Sequence, residues 1–225
     1  MSSECTQLEW SDNPGAYEAH LIRRCNNPYF PKSYQNVSAK ELSEAKRIDR
    51  EDYNLVEDQF AAVEEQIKGL PANTTIGELN TIRESLDNLI LFSMGVGGRA
   101  YGIASKANKV REALISDMRA VFPNDAESLA NIDKADNFHK ENMRKFYIPV
   151  MAQMHRERSP VKKEHSIATI LSEDPETIAL VLSVMSEDVR ALVELEALTM
   201  MKEALSEGYI DPQLEEKISA LEGKK

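Results

Sequence analysis

Apolar residues recur along most of this chain in steps that alternate between three and four, the spacing that lines up one face of an α-helix. From Tyr53 they fall at Val56, Phe60, Val63, Ile67 and Leu70. A longer series follows without a slip: Leu79, Ile82, Leu86, Leu89, Ser93, Val96, Ala100, Ile103, Ala107, Val110 and Leu114. A third contains Leu129, Ile132, Asp136, His139, Met143, Phe146 and Val150. This rhythm predicts an all-α fold: an antiparallel bundle of long helices, followed by a C-terminal lobe of short helices and preceded by an N-terminal extended arm.

Local signals place the helix ends. Ser38-Ala39-Lys40-Glu41 and Thr75-Ile76-Gly77-Glu78 are capping boxes, in which the hydroxyl takes a free backbone N–H and the glutamate reaches back to the cap. Gly69 and Pro71 close the first long helix, and Asn124 or Asp125 caps the third. Pro149 lies within the third series and predicts a kink near Lys145 or Phe146.

The middle series decides the layout. Gly95, Gly97, Gly98 and Gly102 interrupt it in composition but not in phase, so the spacing predicts one helix from Thr75 to Val121, about 70 Å long at 1.5 Å per residue. Those glycines, with Ala100, are read as close-packing positions where another helix approaches. A break at Gly97-Gly98 is the alternative. The core is then a three-helix antiparallel bundle.

The ends differ from the middle. Residues 1–37 hold Trp10, Tyr17, Tyr29, Phe30 and Tyr34, with Pro14, Pro28 and Pro31 between them. A short helix from Pro14 to Asn26 and an extended stretch to Pro31 are expected there. The bundle covers 38–157, and residues 158–165 read as a basic linker continuing Arg156 and Arg158 into Lys162 and Lys163. Residues 166–225 read as four short helices, with Asp174-Pro175, Ser186 and Asp211-Pro212 as starts. Two of these helices are apolar over more than half their circumference. The excess must dock on the bundle, on a second copy or on another protein. Leu192, Leu195, Met200 and Met201, with Tyr29, Phe30 and Tyr34 of the arm, are the candidate partner contacts.

Within that lobe, Ser172-Glu173-Asp174-Pro175-Glu176-Thr177-Ile178-Ala179-Leu180-Val181-Leu182-Ser183 resembles the helix-start pattern of the flagellar rotor switch protein's helical repeats. The resemblance implies an armadillo-like stack used in protein assembly. It covers that segment alone; the long bundle, the aromatic arm and the spacing after Met185 depart from the family, so no family is assigned.

Charge narrows the partners. A formal net charge of -11 argues against broad contact with nucleic acid or an anionic bilayer. No run of about 18 apolar residues is present, and the first residues lack the pattern of a signal peptide. The two cysteines, Cys5 and Cys25, have no metal or redox spacing and read as reduced thiols, which sets the location as cytoplasmic.

Catalytic chemistry is sparse. The histidines His20, His139, His155 and His165 share no ligand spacing. Gly95-Val96-Gly97-Gly98-Arg99 lies mid-helix, where no free N–H groups face a phosphate. Asp136 and His139, on successive inward turns, are the nearest approach to a site: a metal or acid–base pair, or a polar layer that fixes helix register beside Lys106 or Lys109. No cofactor is implied. The expected function is a non-enzymatic helical interaction or assembly factor acting on a protein partner or a second copy. The alternatives are an enzyme or cofactor carrier using Asp136 and His139, and a nucleic-acid accessory protein using the basic linker.

Overall fold

The computed structural model describes residues 5–121, 125–143 and 148–223. Among them the secondary structure is all α, as the spacing predicts. The helices are α1 (Ala16–Asn26), α2 (Lys32–Gln35), α3 (Ala39–Lys68), α4 (Ile76–Val96), α5 (Ala100–Ala120), α6 (Ala126–Met143), α7 (Pro149–His155), α8 (Ser166–Leu171), α9 (Pro175–Ser183), α10 (Glu187–Ser206) and α11 (Leu214–Leu221). They form two compact units. One comprises residues 1–49 and 153–225, the other residues 50–152. This division differs from boundaries at 37, 157 and 165, because both ends of the chain enter the same unit.

The central unit is built on α4, α5, α6 and the second half of α3. The caps form as the sequence dictates. Thr75 Oγ1 accepts from Glu78 N, and the Glu78 carboxylate accepts from Thr75 N at 2.7 Å. Asp125 accepts from the backbone N–H groups of Glu127 and Ser128, both at 3.1 Å.

The single long rod is not what forms. Helix α4 ends at Val96, and Gly97 and Gly98 take positive φ values of 71° and 55°. The Gly97 N–H closes on Ser93 O at 3.1 Å. The chain turns back, and α4 and α5 pack along each other as a hairpin. Their shared core holds Ile82, Leu86, Leu89, Ile90, Ile103 and Ala107. Each arm of 21 residues spans about 32 Å rather than 70 Å. The physical reason lies in the turn, which occupies about the length of one helical turn and leaves the phase of the two apolar stripes intact.

Helix α6 ends at Met143 and α7 opens at Pro149, which serves as a first-turn proline. The expected kink at Lys145 or Phe146 lies outside the described residues.

The terminal unit has a different skeleton. Ser38 and Glu41 make the expected capping box: Glu41 N donates to Ser38 Oγ at 3.2 Å, and Ser38 N donates to the glutamate at 2.9 Å. Helix α1 has no side-chain cap of its own. Its free N–H groups at Tyr17 and Glu18 instead donate to the two oxygens of Asp49 from α3, both at 2.9 Å. Gly15 permits that approach, since a Cβ there would lie 2.6 Å from Asp49 Cβ.

The N-terminal segment is not an extended arm. Tyr29 and Phe30 are buried, and residues 27–31 form a tight connection between α1 and α2. Cys5 and Cys25 are joined as a disulfide with Cα atoms 5.8 Å apart, which replaces the expected pair of free thiols. Helix α1 carries Cys25 to within reach of Cys5, a closeness that a sequence separation of 20 does not reveal. Around the bridge gather Leu21, Val37, Leu42 and Ala45.

The basic segment is no free linker either. The Tyr17 hydroxyl donates to Arg158 O at 2.7 Å, Lys162 Nζ sits 5.2 Å from the Tyr34 ring centre, and Val161 is buried. Asp174 caps α9 through the Thr177 N–H at 2.9 Å with Pro175 at its first position, as expected.

Candidate functional site

Three places in the structure concentrate chemistry, and each follows from which side chains the helices turn inward or leave out.

The first is in the central unit. Arg111 of α5 is buried between Asp87 of α4 and Asp136 of α6. Its Nη2 donates to Asp136 Oδ1 at 2.7 Å, and its Nε donates to Asp87 Oδ1. Burial by itself would lower the Arg111 guanidinium; the hydrogen bonds and charges of Asp136 and Asp87 reverse this and hold it protonated. The expected partner of Asp136 was His139 or a lysine. Lys106 and Lys109 are exposed, and Arg111, one turn beyond Ala107 on the inward face, takes the role instead. The side chain of His139 lies outside the described residues. One cation thus bridges carboxylates from two other helices, so the charges of α4, α5 and α6 meet in one buried group.

The second place is in the terminal unit. Tyr34 lies between Arg24, whose guanidinium carbon is 3.8 Å from the ring centre, and His165, whose ring centre is 4.1 Å away. His20 Nε2 is 3.3 Å from the Tyr34 hydroxyl, and its Nδ1 is buried without a hydrogen-bond partner. Burial, then the positive charges of Arg24 and Arg23, press the His20 imidazole down to about 3, so it is neutral. A cavity of about 440 Å³ opens beside this cluster, lined in part by Tyr17, His20, Arg24, Tyr34, Lys40 and Glu41. Its principal charges are already committed. Arg24 donates to the carbonyls of Tyr34 and Asn36, and Glu41 serves the Ser38 cap.

A related buried group closes the same unit. Asp211 accepts from the Tyr29 hydroxyl at 2.8 Å, from Lys217 Nζ at 3.1 Å and from Gln213 N at 2.9 Å. Burial raises the Asp211 carboxyl, and these three donors together outweigh it and keep it low. Tyr29 is therefore an internal tie.

The third place is exposed. Helix α10 buries Ala197, Met201 and Ala204 in its second half, where it packs against α8. From Glu187 to Glu196 no side chain is fully buried, and Arg190, Val193 and Glu194 are half-buried. Val189 is 46% exposed, and Leu192 and Leu195 are each 68% exposed. At 100° per residue, Leu192, Leu195 and Thr199 fall on one face, with Asp188 and Glu196 interleaved.

No family model, curated protein or solved structure matches the chain.

The residues singled out by the sequence thus separate. Leu192 and Leu195 lie together on the open face of α10, and Met200 is half-buried farther along it. Met201, Tyr29 and Phe30 are interior, and Tyr34 is half-buried in the aromatic cluster. Gly95, Gly97, Gly98 and Ala100 are buried at the hairpin turn. Gly102 is exposed, with nothing within 4 Å of where a Cβ would stand, so no helix packs on it. Sequence reasoning missed Asp87 and Arg111. The available signal was a charged residue one turn from an apolar core position on neighbouring helices. It also missed His20 with His165, whose meeting depends on long-range packing. Among the described residues no group of three or more histidine, cysteine or acidic side chains could hold a metal ion.

Proposed function

We propose that this chain is a non-enzymatic interaction or assembly factor whose docking surface is the first half of α10. One observation carries the reading: in the first ten residues of α10 no side chain is fully buried and only Arg190, Val193 and Glu194 are half-buried, while Val189, Leu192 and Leu195 stand exposed. An exposed apolar side of this kind gains stability when a partner covers it. The competing enzymatic reading, on Asp136 and His139, has less support, because the Asp136 carboxylate is engaged by Arg111.

No described helix is long and apolar enough to cross a membrane. The Cys5–Cys25 bridge favours an oxidising compartment over the cytoplasmic one that free thiols would suggest.

The test uses the purified full chain and the double variant Leu192→Ser, Leu195→Ser. The parent should bind an apolar fluorescent dye, and the variant should lose most of that signal with an unchanged Tm. Dye binding that survives the double substitution, or a Tm that falls by several degrees, overturns the proposal by showing that the face is already covered within the chain.

A further inference from the structure

The proposed docking face also carries information about what covers it. Between Glu187 and Glu196 there are four acidic side chains, Glu187, Asp188, Glu194 and Glu196, and a single basic one, Arg190. Arg190 is turned away from the leucine face and bonded to Glu194, Nε to Oε1 at 2.5 Å. Asp188 and Glu196 lie one turn to either side of Leu192, in line with it. The exposed leucines are thus bracketed by unneutralised carboxylates. A second acidic feature lies in the same unit: an open groove between α9 and α11, floored by Ala179, Ser219 and Ala220 and edged by Glu176, Glu215 and Glu216.

We infer that the occupant of the α10 face is a basic amphipathic helix of another protein, with leucine-like residues on one side and lysine or arginine flanking them. This rests on the docking reading given above and adds the partner's chemistry. Charge complementarity excludes the obvious competitor. A second copy laid on the same face would set Asp188 and Glu196 against their own equivalents, and like charges brought together in a drying interface are costly. A basic helix pairs those carboxylates at the rim and inserts its apolar stripe between them. At 1.5 Å per residue, residues 187–196 offer about 15 Å, which calls for a partner segment of about 12 residues.

The experiment measures binding of two fluorescein-labelled amphipathic peptides of about 12 residues to the full chain by anisotropy. One is built from leucine and lysine, its counterpart from leucine and glutamate. The lysine peptide should bind, weaken about tenfold or more on Leu192→Ser with Leu195→Ser, and weaken several-fold on Asp188→Lys with Glu196→Lys. Its affinity should fall as salt rises from about 50 to 500 mM. The glutamate peptide should not bind. Equal binding of both peptides, indifference to the charge reversal, or no binding of the lysine peptide overturns the inference. So does sedimentation showing that the chain dimerises through this face, lost on Leu192→Ser with Leu195→Ser. The dye measurement is independent of these outcomes. A chain that binds dye at Leu192 and Leu195 but ignores the lysine peptide keeps its docking surface and loses only the basic partner.

Discussion

Arg111 shows how much one side chain can decide in a helical interior. It is 3% exposed and pairs with both Asp87 and Asp136. Replacing it with alanine removes the shared cation from two buried carboxylates, and Arg111→Ala should cost about 3–5 kcal/mol in urea unfolding. Replacing all three charges together, Asp87→Leu, Arg111→Met and Asp136→Leu, should recover most of that loss, because an apolar layer needs no pairing. His20 gives a pH signature at the same scale. Its folded pKa lies near 3 against 6.5 when unfolded, so the unfolded chain takes up a proton first as pH falls. The stability that neutral His20 contributes is complete above pH 6.5 and is lost as pH drops toward 3. Asp49 acts oppositely. Burial pushes its carboxyl up to about 6, so its contribution is complete below 3.8 and fades as pH rises through 6. The two nearly cancel between pH 6 and 4, and the histidine is read by difference. The gap between parent and His20→Gln should change by about 1.4 kcal/mol per pH unit below 6.5, with the variant gaining on the parent. Urea titrations at pH 7, 6 and 5 measure it.

At the scale of elements, local chemistry was legible and reversal of direction was not. The capping boxes at Ser38 and Thr75, the Asp125 cap and the Asp174-Pro175 start all form as read, because each involves groups within three residues. The hairpin at Gly97 was hidden because both arms present the same three-four stripe. Phase alone cannot distinguish a rod from two arms folded together. The glycine pair was the signal, and its backbone now explains it. Gly97 combines φ 71° with ψ -165°, a region open to almost no other residue. Gly97→Ala should therefore lose about 1–3 kcal/mol, measured by urea unfolding. Gly98, at φ 55°, sits where asparagine is tolerated, and Gly98→Asn should cost less. The candidate surface was half legible. Leu192 and Leu195 stood out as excess apolar residues, while Tyr29, Phe30 and Met201 looked equivalent and turned out to be interior. Nothing in a one-dimensional pattern tells an uncovered leucine from a covered one when both lie on strongly apolar helices.

For the whole molecule, the helical class and the ends' distinct character were legible in the residue pattern, but not that the two ends belong together. Contacts such as Tyr29 with Asp211 and Tyr17 with Arg158 join residues far apart along the chain, and no local rule anticipates them. The disulfide belongs to this scale too. It closes a loop of 20 residues around α1, and reduction should lower stability by about 3 kcal/mol, seen as a shift in the urea midpoint with and without a thiol reductant. The partition of the chain also orders its assembly in time. Residues 50–152 are contiguous and hold a complete apolar interior, so they can mature while a ribosome is still adding α8 to α11. The other unit is completed only when its second half arrives, more than a hundred positions after residue 49, although the Cys5–Cys25 bridge and the cluster of Leu21, Val37, Leu42 and Ala45 lie wholly within residues 1–49. During translation the groups of residues 1–49 that meet the C-terminal half, such as Tyr29 with its partner Asp211, therefore stay uncovered until the last helices emerge.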